Sequence, residues 1–138
     1  MANSRNIAVG ILIGLALLAV AKNSAASVQI EITSPVEGAD VGREETVSGS
    51  ASDSNLSVYV LIRPVRSSTW WVERPPAPTN RNGSWKTDCY FGTPSKGVGE
   101  AFEVIAIVTE QKLKEGDQID ELPTYIARSE TVTVHRTR

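Results

Sequence analysis

The sequence predicts an all-β domain, a two-sheet sandwich of about seven strands, preceded by one N-terminal hydrophobic helix. Three observations carry this. After Ser27 the apolar residues recur with a period of two. Turn chemistry interrupts that pattern at intervals of several residues throughout the remainder of the chain. No segment there has a helical period long enough for a crossover between parallel strands, which leaves two packed antiparallel sheets as the architecture.

The first 26 residues stand apart. Ile7 to Ala21 reads IAVGILIGLALLAVA, without a charge or a strongly polar side chain, and includes Ile7, Ile11, Ile13, Leu15, Leu17 and Leu18. As a helix this run spans roughly 22 Å, against about 30 Å for the hydrocarbon core of a bilayer. It is short for a membrane span and long for the core of a signal peptide. Two readings follow. In one, residues 7–21 stay in the bilayer as an anchor, with Lys22 snorkelling to the surface. In the other, the small residues Ser24-Ala25-Ala26 are a cleavage site and the mature chain begins at Ser27. Arg5 is nearly balanced by Lys22, so the charge asymmetry across the segment is weak. A buried soluble helix is the poorest fit, because every face is apolar.

Residues 27–138 supply the strands in order. Val28, Ile30 and Ile32 alternate with Gln29, Glu31 and Thr33 until Ser34-Pro35 ends the run. Glu37-Gly38-Ala39-Asp40 is a turn. Val47 and Gly49 sit in a short strand, closed by the polar stretch from Ser50 to Asn55. Val58-Tyr59-Val60-Leu61-Ile62 is continuously apolar, as a central strand covered on both faces would be. Trp70-Trp71-Val72 is a further strand, stopped by Pro75, Pro76 and Pro78. Asn82-Gly83 predicts a hairpin turn. Beyond it Trp85, Thr87, Cys89 and Phe91 share one face, with Lys86, Asp88 and Tyr90 on the other. Phe102 to Val108 is the longest apolar strand. A polar stretch from Glu110 to Glu121, with the character of a single helical turn, leads to the last strand, where Val132 and Val134 alternate with Thr131 and Thr133. Val60, Ile62, Trp85, Val104, Ala106 and Val108 are the expected core, with Phe91 and Phe102 closing its ends.

A chain of 138 residues has room for one such domain. Hydrophobic residues at 41% and charged residues at 22% are ordinary for a folded chain and argue against a disordered tail. Of its 14 basic residues, Arg5 and Lys22 flank the N-terminal segment. That leaves 12 against 16 acidic residues, a net of −4 for the body. Without a basic stripe the body is a poor nucleic-acid binder. Cys89 is the single cysteine and His135 the single histidine, too few for an intrachain disulfide or a structural zinc site.

Ile32-Thr33-Ser34-Pro35, followed by Gly38, Val41, Val47, Gly49 and Ala51, resembles the opening two strands of prokaryotic Ig-like or fibronectin-III-like modules. Asn82-Gly83-Ser84-Trp85 is similar to a hairpin common in the same modules. The resemblance covers about half of the body and rests on turn and core positions, so it implies a fold more than an activity. It implies an Ig-like sandwich serving outside the cytoplasm as a binding or spacer module. The chain departs from antibody-type domains in lacking the cysteine pair that bridges their sheets.

Few residues suggest function. Neighbours in a strand face opposite ways, so Trp70 and Trp71 cannot both be internal. The expectation is that Trp70 and Val72 share the inner face of the sandwich and that Trp71 lies outside. With Tyr90 and Arg74 they form the candidate partner-contact set, suited to a protein contact or to stacking against a sugar. The bland alternative is an edge aromatic shielded by Arg63 and Arg74. Asp53, Asp117, Asp120 and Glu121 do not match the spacing of a calcium loop. Catalysis needs a nucleophile beside a base, whereas Cys89 is expected in the core and His135 near a frayed terminus. Asn55-Leu56-Ser57 and Asn82-Gly83-Ser84 are glycosylation sequons in predicted turns. The expectation is therefore a membrane-anchored, non-catalytic accessory or structural subunit whose extracytoplasmic sandwich docks on a larger assembly, without cofactor or metal. The alternative is a carbohydrate- or cell-surface-binding module using the exposed aromatics, secreted if the N-terminal segment is cleaved.

Overall fold

The computed structural model describes residues 27–74 and 77–138; the expected anchor or signal helix falls outside them, as do Pro75 and Pro76. The described residues are all-β and contain no helix. In chain order the strands are β1 (Ile30–Ser34), β2 (Asp40–Val41), β3 (Glu44–Ala51), β4 (Ser57–Pro64), β5 (Trp70–Val72), β6 (Ala77–Pro78), β7 (Ser84–Tyr90), β8 (Ala101–Val108), β9 (Gln118–Ile119), β10 (Ala127–Arg128) and β11 (Val132–Arg136). All seven strands anticipated from the sequence are present. The other four, β2, β6, β9 and β10, are two-residue pairings that carry no hydrophobic period of their own.

Two sheets result. The smaller runs β1-β3-β7 and the larger β2-β11-β8-β4-β5-β9, with β10 paired to β8 and β6 to β4. Neighbours are antiparallel except β2 and β11, which run parallel, His135 opposite Asp40. The chain leaves one sheet for the other between β1 and β2, beyond the Ser34–Pro35 cis peptide. Strand β3 is longer than expected, eight residues, because Glu44 and Glu45 extend its pairing with β7. Gly49 within it lies opposite Trp85. A Cβ there would collide with the Glu31 carbonyl oxygen and the Trp85 ring, so the indole lies flat on a position only glycine can fill.

The expected core is buried as predicted. Val60, Ile62, Trp85, Val104, Ala106 and Val108 join Val47, Cys89 and Val134 between the sheets. Phe91 and Phe102 meet edge to face at 5.6 Å, an arrangement aromatic quadrupoles favour. The larger sheet is buried on its other face too. Tyr59, Leu61, Trp70, Val72, Ile105 and Ile107 form a second core, against which Leu113, Ile119 and Leu122 pack.

Four expectations are corrected here. Residues Glu110 to Glu121 form no helical turn; they are a strap that pairs as β9 with β5 and covers the second core. Their polarity belongs to the solvent side, and Leu113 and Ile119 among them, with Leu122 just beyond, pack on the sheet. Trp70 and Val72 are buried as expected, but not in the sandwich interior: Val72 lies opposite Leu61 on the strap-covered face. The Asn82-Gly83 turn does not close a hairpin between paired strands, since β6 pairs with β4 and β7 with β3; it carries the chain from one sheet to the other. His135 does not lie at a frayed end, because β11 is held on both sides, by β2 and β8.

Candidate functional site

The strand registers give the domain two unlike ends. β1 begins with Ile30 opposite Ala51, whereas Tyr90 pairs with Glu44 at the far end of β3. The chain therefore comes in at one end, and the Tyr90 end is the other. At that second end a cleft of about 500 Å³ opens, lined by Ile62, Pro64, Trp71, Glu73, Tyr90 and Phe102 and by the loop that follows β7.

Period-two geometry places Trp71 there. It lies opposite Ile62 on β4, which puts it on the inter-sheet side of the large sheet. The small sheet does not cover it, so the indole stays 42% exposed while Trp70, on the strap side, is 5% exposed. The expectation of one tryptophan in and one out is met, with Trp71 outside. The expected shielding differs. Arg63 lies 4.2 Å over the ring of the buried Trp70 and pairs with Glu103 at 2.8 Å.

Tyr90, at the end of β7, has two guanidinium groups near its ring, Arg43 at 5.2 Å and Arg74 at 5.7 Å. Arg74 also donates from Nη2 to the Tyr90 hydroxyl at 3.1 Å. Three of the four candidate contact residues, Trp71, Tyr90 and Arg74, are thus brought together at or beside one cleft. Trp70 belongs to the second core instead.

Two residues that sequence reasoning missed build the rest. Glu73 follows β5, is only 9% exposed, and accepts the Tyr90 backbone N–H at Oε1, 2.7 Å. Burial raises its carboxyl to about 7, assisted by Glu115 and opposed by the Tyr90 N–H and Arg74. Arg136, 2% exposed, is the second. Its Nη1 donates to the carbonyls of Phe91, Thr93 and Lys96 at 2.7, 2.7 and 2.8 Å. Gly99 N–H returns a bond to the Arg136 carbonyl. The guanidinium thus folds residues 91–97 back over the Phe91–Phe102 pair as a cleft wall. Gly97, at φ 109°, lets this happen, since a side chain there would press on Arg136 and the Phe102 ring. A signal for Arg136 existed: it continues the inward series Val132, Val134 at period two. None existed for Glu73, whose surroundings come from β7 and the loop.

Other candidates are occupied elsewhere. Asp117 accepts the Lys114 backbone N–H and Asp120 the Thr69 hydroxyl, so both carboxylates fasten turns. Cys89 is buried, its thiol pushed up by that burial. Asn55 is exposed at φ 68°, and Asn82 accepts from Ser84 within its turn. A larger groove, about 970 Å³, runs along the open side between β1 and β10–β11, but its lining brings no aromatic ring to a buried ionisable group.

No protein-family model matches the chain, and no curated protein matches it in sequence.

Proposed function

We propose that this chain is a membrane-anchored, non-catalytic interaction subunit: an Ig-like module outside the cytoplasm that takes a protein partner into the cleft at its far end. The observation that carries the reading is Trp71, a large indole left 42% exposed at the mouth of a cleft that otherwise has a built floor and wall. Exposed tryptophan over a partly desolvated pocket is the usual composition of a binding hot spot. The Ig-like assignment draws support from the two-sheet order and from the parallel pairing of β2 with β11. The anchor rests on the apolar run over residues 7–21. The cleft lies at the end of the domain opposite the start of β1, where a tethered domain would present it to a partner. Cys89 and His135, the two side chains best suited to nucleophile and base, are not in the cleft lining, which favours recognition over catalysis.

A second reading, a glycan-binding module, draws on the same indole, whose open face suits a sugar ring.

The experiment is purification of full-length protein from its native membrane in gentle detergent, alongside Trp71→Ala, with intact-mass analysis. On the proposed reading the wild type resists alkaline wash, starts before Ser27 and keeps a stoichiometric companion. The variant folds normally but binds that companion about 2 kcal/mol more weakly. A mass beginning at Ser27 removes the anchor; an unchanged complex with Trp71→Ala removes the cleft.

A further inference from the structure

Two groups at the cleft lack what their counterparts in the same domain possess. The chain sets its own guanidinium groups against two aromatic rings, Arg63 over Trp70 and Arg43 and Arg74 around Tyr90. Among the described residues no cation lies over Trp71, the most exposed of the three. Among the described residues Glu73 likewise has no ion pair, and its carboxylate accepts one hydrogen bond, from the Tyr90 backbone. Both line one cleft. The indole face attracts a cation and the desolvated carboxylate requires one.

We infer that the cleft accepts an arginine side chain of a protein partner, its guanidinium stacked on Trp71 and donating to the Glu73 carboxylate. This rests on the cleft being the contact site proposed above and adds the chemistry of what enters it. Arginine suits the site better than lysine. Its planar, weakly hydrated head can stack on an indole and donate to a carboxylate at once.

The neighbouring charges leave room for it. From the segment after β4, Arg66 pairs with Glu100 at 2.9 Å and has an 80% exposed side chain. Lys96, on the loop wall, is exposed. Arg74, beside Glu73 in the chain, is held by the Tyr90 hydroxyl. Glu115 on the strap adds negative charge, while from β7 come Asp88, Tyr90 and the buried Cys89. None of these offsets the burial that raises the Glu73 carboxyl to about 7. A bound guanidinium favours the ionised form, so binding strengthens as pH rises through that value and levels off above it.

The test is a nuclear magnetic resonance titration of the full-length ¹⁵N-labelled chain in detergent micelles. The probes are Gly-Arg-Gly amide, its citrulline counterpart (the same shape without the charge) and methyl α-glucopyranoside. The arginine peptide should shift the Trp71 indole N–H and the Tyr90 amide, and bind about tenfold more tightly at pH 8 than at pH 5.5. At pH 8 the citrulline peptide should bind at least about tenfold more weakly, and Glu73→Gln should erase both differences. Equal binding of the two peptides, binding independent of pH, or no shift by the arginine peptide overturns the inference. A shift by the glucoside alone refutes it while leaving the cleft as a recognition site. If all three probes fail and Trp71→Ala also leaves the native complex intact, the cleft reading falls with it.

Discussion

Replacing Glu73 with glutamine isolates the cost of the buried charge in the cleft. The carboxyl titrates about 7 instead of 4.5, chiefly because burial strips water from the anion. At about 1.4 kcal/mol for each tenfold change, the folded protein disfavours the ionised form by roughly 3 kcal/mol. A raised folded-state value means that the proton-bound form is the one the fold prefers. That contribution is complete below about pH 4.5, is lost as pH climbs to about 7, and does not change further. Glutamine never ionises, and its carbonyl oxygen can still accept the Tyr90 N–H. The variant should therefore match the wild type within about 0.5 kcal/mol at pH 4.5 and exceed it by about 2–3 kcal/mol at pH 8. Urea unfolding at pH 4.5, 6 and 8, followed by tryptophan fluorescence with an unchanged m value, reads this directly. A difference that is flat with pH, or a glutamine variant less stable at pH 8, would refute the reasoning: the carboxylate would then be solvated or already paired.

Residues 27–138 alone should give a monomeric β protein by circular dichroism and sedimentation, since they supply two buried cores; aggregation of that fragment would contradict this. Val104→Ala, at a position with no exposure, should cost about 2–3 kcal/mol in urea unfolding through lost burial and a residual cavity. Arg136→Met keeps the aliphatic stem but removes the guanidinium bonds to three carbonyls, leaving the Phe91 carbonyl unpaired. It should cost about 3 kcal/mol and accelerate amide exchange at Gly97 and Gly99 more than at the β4–β8 pair.

The strands that could be read from the sequence are those whose alternation is enforced by a buried face. Val28 to Ile32, Trp85 to Phe91 and Val132 to Val134 each set apolar residues two apart. Val58 to Ile62 and Phe102 to Val108 are continuous because both faces are covered. The short pairings were illegible because two residues have no period. Ser129 shows the limit: its hydroxyl accepts the Ala106 N–H, and its own N–H reaches the Ala106 carbonyl, so β10 and β11 read as one interrupted strand only once β8 is beside them. Assigning Trp70 to the sandwich interior assumed a single core. Leu113, Ile119 and Leu122 are spread too thinly through a polar stretch to announce a second. At the cleft, Trp71 and Tyr90 were legible because strand alternation turns each away from a buried neighbour, Trp70 and Cys89, and Glu73 was not, because its surroundings come from residues distant in the chain, Tyr90 among them.

The large sheet holds side chains on both faces, and the two sets never mix. Strands β4 and β8 should consequently be the last part of the molecule to open, and the strap the more readily released. Its hold on β5 includes Val72 N–H to the Asp117 carbonyl and Gly116 N–H to the Val72 carbonyl. Both bonds are made by Val72, between Trp71 and Glu73. Strap release would let β5 and the Glu73 that follows it fray while Phe91 and Phe102 stay packed. Hydrogen exchange should then resolve two cooperative units, one reporting whether the domain is folded and the other whether its cleft is in order. Substitutions on the strap would tune recognition with little effect on the melting of the whole.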